Sequence, residues 1–70
     1  MEIYMLKVKF TYFDVDNPKK VYETLTGEFL TWGAVMKFGQ DHADSLMEFF
    51  DLEEIGWDYN TFEMCMKDRN

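Results

Sequence analysis

Few residues in this chain have the chemistry of a catalytic or metal-binding group. His42 is the only histidine and Cys65 the only cysteine. A Cys–His nucleophile needs the two side chains within hydrogen-bond reach, and an oxyanion site beside them. Cys65 stands in plain strand-like alternation, and no nucleophile motif surrounds it. It reads as a small apolar filler, and His42 as a residue at the border of a helical apolar face. One histidine and one cysteine do not make a structural zinc site. Asp14, Asp16 and Asn17 suggest the start of a calcium loop, but Lys19 and Leu25 stand where that loop needs Gly and Glu. The glycines occur singly, without a phosphate-cradling loop. The expectation is no enzyme, no cofactor and no metal.

Carboxylates are what the chain has in quantity. Placed on a helix at 100° per residue, Asp41, Asp44, Glu48 and Asp51 fall in one narrow longitudinal stripe. Ala43, Leu46, Met47 and Phe50 fall on the opposite side, flanked by Phe49. Asp44 and Glu48 form a like-charge i,i+4 pair, and Asp41–Asp44 and Glu48–Asp51 are i,i+3 pairs. Each such pair costs about 0.2–0.5 kcal/mol. Asp51, Glu53 and Glu54 add charge at the helix C-terminus, the end whose dipole disfavours it. A face chosen for stability would carry lysines at these spacings, so the stripe reads as an interaction surface. On a convex helix these acids do not form the cleft that acid–base catalysis uses. The competing explanation is a solvated face kept for solubility.

The net charge of −7 is unevenly placed. Residues 1–40 hold five acids and five lysines. Residues 41–70 hold nine acids against Lys67 and Arg69, which accounts for the whole excess. That sign argues against nucleic acid or an anionic membrane as a direct partner, and in favour of a basic protein. Carboxylates recurring every ~5 Å of helix axis are a coarse match to phosphates spaced ~3.4 Å along a DNA strand. Glu53, Glu54 and Asp58 are expected to extend the row. Trp57 and Tyr59, beside Asp58 in an expected loop, are candidate interface anchors, with Trp57 equally suited to closing the core.

In size, in the charge of residues 41–63 and in this stripe, the chain resembles the small acidic inhibitors that phages make against host nucleic-acid enzymes. Those include antirestriction proteins, anti-CRISPR proteins and uracil-DNA glycosylase inhibitors. No family motif underlies the likeness, so no residue roles carry over. It implies a nucleic-acid-mimicking inhibitor acting on a DNA- or RNA-binding protein in the bacterial cytoplasm. The alternative is a dimeric regulator or antitoxin-like module that binds through an apolar sheet face (Ile3, Met5) or an open strand edge.

Several elements must hold the stripe in place. Seventy residues predict one domain, and a 19% aromatic share makes a small core plausible. One cysteine, the lack of a signal-like start and the lack of a ~20-residue apolar run predict a soluble intracellular chain. Residues 2–13 alternate, with Tyr4, Leu6, Val8, Phe10 and Tyr12 on one face, and predict a central strand. Residues 14–19 predict a turn in which Pro18 joins no ladder. Residues 20–30 predict a second strand, with Val21, Leu25 and Phe29 on one face and Gly27 as a candidate bulge. Thr31 caps a helix over 32–51, in which Gly39 sits mid-face. A break at Gly39, with Asp41 capping a second helix, is the alternative. Residues 52–57 predict a return loop. Residues 58–67 predict a third strand with Phe62, Met64 and Met66 on one face. The fold class is α+β: β-β-α-β, three antiparallel strands in order 2-1-3, with the helix on one face.

Overall fold

The computed structural model describes the backbone of residues 2–68 and the side chains of residues 5–61. Strand β1 (Glu2–Asp14) turns into β2 (Asn17–Phe29), helix α1 (Trp32–Phe50) crosses back, and β3 (Gly56–Asp68) completes the sheet. The sheet is antiparallel in order β2-β1-β3, as the apolar face of β1 requires. Leu6, Val8, Phe10 and Tyr12 of that face are buried, together with Val35, Ala43 and Leu46 of α1. Leu25, Phe29, Ile55 and Trp57 close the rim of this core.

The β1–β2 turn is tighter than the sequence suggests. Asp14 pairs with Asn17, and the Asp14 carboxylate accepts the Asp16 N–H at 2.8 Å, the local bond that favours aspartate in turns. Pro18, Lys19 and Lys20 lie within β2 but have no counterpart in β1, because Phe13 pairs next with Val21. An edge strand tolerates a proline there.

Two bulges correct the expected faces. Gly27 pairs regularly with Val8, so it is not a bulge; the ring of Phe29, two residues along on the same face, lies over it. The extra residue is Tyr22, between the Tyr12↔Glu23 and Phe13↔Val21 pairs. It moves Val21 off the face of Leu25 and Phe29 and leaves it 49% exposed. In β3 the extra residue is Phe62, between Lys7↔Glu63 and Val8↔Thr61. The side chains of Phe62, Met64, Cys65 and Met66, to which a face was assigned from sequence, lie outside the described residues, as does that of Ile3.

Helix α1 runs unbroken through Gly39. The Thr31 hydroxyl accepts the Ala34 N–H at 3.1 Å and caps its start. Gly39 is buried because two residues use its bare backbone. The Tyr12 hydroxyl donates to its carbonyl at 3.0 Å, and the Trp57 ring occupies the space a side chain would need. The apolar arc of α1 is wider than the sheet beneath it. Trp32 stays 50% exposed, and Met36, Phe38 and Phe50 are also exposed. Phe38 nevertheless packs on Phe10 and Phe29, with ring centres 5.2 and 5.4 Å apart.

The molecule measures 47 × 20 × 14 Å, with a radius of gyration of 14.2 Å. A compact globule of this length would have about 11 Å. The reason is that thirteen-residue strands span roughly 43 Å, and a nineteen-residue helix only about 28 Å. No helix among the described residues is long and apolar enough to cross a membrane.

Candidate acidic interaction surface

The buried positions of α1 are Val35, Gly39, Ala43 and Leu46. At 100° per residue, Asp41, Asp44 and Glu48 point the other way, and Asp51 follows at the end of the helix; all four are exposed. The first three therefore stand in a row on the helix face turned away from the sheet. Lys37 reaches Asp41 at 3.3 Å, one turn earlier, so one of the four is paired. Gln40 donates to Asp44 at 3.0 Å without neutralising it. Among the described residues, no lysine or arginine lies within ion-pair distance of Asp44, Glu48 or Asp51.

Asp51 carries an additional cost. It adopts a left-handed conformation (φ 57°, ψ 54°), the only non-glycine among the described residues with positive φ. Its N–H bonds the Glu48 carbonyl at 3.3 Å, and the Leu52 N–H bonds the Met47 carbonyl at 2.8 Å. This is the Schellman closure usually made by glycine. Here a carboxylate takes the position, beside the negative end of the helix dipole and with no basic residue in the last turn. Glu53 and Glu54 follow in the exposed turn between α1 and β3.

Asp58 does not join this row. It pairs with Thr11 in β3 and so takes the sheet face opposite the helix. Trp57 and Tyr59 are not in a loop, because β3 begins at Gly56. Trp57 packs on Gly39, with ring centres 6.2 Å from both Phe10 and Tyr12. It closes the core, one of its two expected roles, and stays partly buried. Tyr59 is partly exposed and leans on Trp32, 6.1 Å away at the start of α1. The rings beside the acidic end are Phe49 and Phe50. Phe49 is 80% exposed and stands edge-on to Phe50, which rests on Tyr22. A signal was present in the sequence: two consecutive phenylalanines on one helix cannot both face the sheet.

His42 bonds Glu23 of β2, stacks on Phe38 and meets the edge of Tyr12. Burial, and after it the charge of Glu23, pushes the Tyr12 hydroxyl up to about 12. Cys65 pairs with Met5, seven positions along β1 from Tyr12, or roughly 23 Å. His42 and Cys65 therefore belong to opposite ends of the sheet. The uncovered sheet face carries Lys9, Thr11, Thr24, Thr26, Asp58 and Asn60, in direct register across the strands. This middle part is polar, while Phe13 and Val21 lie on the same face toward the hairpin and Met5 near its other end. Among the described residues, no three His, Cys, Asp or Glu side chains are grouped to hold a metal ion.

Comparison of the chain with protein-family models, curated proteins and solved structures finds no match in any of the three.

Proposed function

We propose that this protein is a small acidic inhibitor of a basic nucleic-acid-binding protein in the bacterial cytoplasm. Its α1 carboxylates occupy the groove that otherwise takes a phosphate backbone. One observation carries the reading: Asp44, Glu48 and Asp51 stand exposed along one side of α1 and its C-terminal end, with no basic partner among the described residues. Lysines at these spacings would stabilise the helix, and a glycine would relax Asp51. Retaining three costly carboxylates is explained by a partner that supplies the missing positive charge. Such a complex forms fast and weakens with salt, because the partner's groove and this face attract over a Debye length. Glu53 and Glu54 lengthen the row, and Phe49 offers an apolar anchor beside it.

The test is capture from a bacterial lysate at low salt, with elution by a salt step. The reading expects a DNA- or RNA-binding protein that salt releases, that duplex or single-stranded nucleic acid displaces, and that the triple variant Asp44→Lys, Glu48→Lys, Asp51→Lys fails to retain. Identical capture by the wild type and the folded triple variant would remove the idea.

A further inference from the structure

Strand β1 extends beyond the reach of β2. The β1–β2 ladder ends where Leu6 pairs with Phe29, while the β1–β3 ladder continues through Met5↔Cys65 and Tyr4↔Met66 to Glu2↔Asp68. Along residues 2–5, β1 thus has a strand on one side only among the described residues. Alternate residues of a strand turn their N–H and C=O groups to opposite neighbours. About half the backbone groups of this stretch therefore face an empty lane in line with β2. The chain leaves the sheet after Phe29, and Leu30, 62% exposed, stands at the mouth of the lane.

We propose that the lane receives residues 2–5 of β1 from a second copy of this chain, paired antiparallel about a two-fold axis. The lengths argue for this occupant. The overhang and the lane are the same four residues, so one rotation places each copy's overhang in the other's lane and closes both. The junction then reads β3-β1-β1-β3, with no open lane left at its centre. A strand from an unrelated protein would have no such reciprocity.

Placement of charge agrees. Phe50 rests on Tyr22, and Gly56 pairs with Phe13, so the acidic end of α1 and the turn after it lie toward the β1–β2 hairpin. The overhang is at the other end of the long axis. A ladder this short makes a weak dimer. Each copy carries −7, so the copies repel at a distance, and salt strengthens their association by screening. This dependence is opposite in sign to that of the proposed complex with a basic protein, and the two ideas stand or fall separately.

The experiment is sedimentation equilibrium of the full chain from about 10 µM to about 1 mM, at low and high salt, with amide exchange measured on the same samples. The proposal expects a monomer–dimer equilibrium that salt favours, and exchange at residues 2–5 that slows as concentration rises. Tyr4→Pro removes a backbone N–H mid-overhang and should weaken the dimer about tenfold or more, with α1 and the three-stranded part of the sheet still protected. A monomer under all conditions overturns it. So does a dimer whose protection falls on the outer edge of β2 or β3, or one that survives Tyr4→Pro.

Discussion

The ring of Trp57 fills the space that a side chain on Gly39 would occupy. This relationship decides how closely α1 lies on β1 and β3, and it sets two residue types against their local preferences. A glycine inside a helix costs about 1 kcal/mol relative to alanine. Here the cost is offset by the packing of a partly buried tryptophan and by the Tyr12 bond to the Gly39 carbonyl.

Gly39→Ala should therefore destabilise the protein despite its better helix propensity, by about 1–2 kcal/mol, since overpacking outweighs the propensity gain. In a Trp57→Leu background the same change should become neutral or stabilising. Urea denaturation of the four-member cycle reads the coupling, expected at about 1 kcal/mol or more. Additive effects would mean the two residues do not meet.

Tyr12→Phe removes the hydroxyl that bonds the Gly39 carbonyl and should cost about 1 kcal/mol at neutral pH. The same hydroxyl makes stability depend on alkaline pH. Its folded value is about 12 against an unfolded 10. Between those values the unfolded chain releases a proton that the folded one keeps, so stability falls as pH rises from 10 to 12. Denaturant midpoints across that window should fall more steeply for the wild type than for Tyr12→Phe.

Asp51→Asn keeps a residue that tolerates the left-handed backbone and removes a charge from the negative end of the helix dipole. It should raise stability by about 0.3–1 kcal/mol. If α1 binds a basic partner, the same substitution should weaken the complex, a trade of function for stability. Thermal melts and binding titrations on one preparation measure both.

Glu48→Lys converts an i,i+4 and an i,i+3 repulsion into attractions with Asp44 and Asp51. It should stabilise the fold by about 0.5–1 kcal/mol at low ionic strength and by less at high salt. Equal melting temperatures for the two proteins at low salt would show that the row costs nothing to hold, and would take away the reason for reading it as an interface.

How far the structure could be read from the sequence follows from which forces are local. Period-two alternation placed β1 at the centre of the sheet, and the Thr31 cap with an unbroken apolar phase placed α1, because both are written in nearest neighbours. The exposed row on α1 was legible for the same reason. The bulges at Tyr22 and Phe62 were not, since they arise from pairing across strands; the one at Tyr22 turns Val21 to the other face. The sequence places Trp57 at the end of a return loop over 52–57, with the strand starting at Asp58. In the fold Trp57 is drawn into β3 by the space above Gly39, a contact between residues eighteen positions apart. Phe49 flanked the apolar arc by sequence and proves to be the most exposed large apolar side chain of those described.

The Tyr12–Gly39–Trp57 junction also works as a key in a slot: it stops α1 from rolling about its axis or sliding along the sheet. The helix therefore delivers its carboxylates at one fixed azimuth, like type set in a frame. One residue inserted after Gln40 would turn everything downstream by about 100° and swing Asp44, Glu48 and Asp51 toward the flank of the sheet, whereas seven would bring them round again to within about 20°.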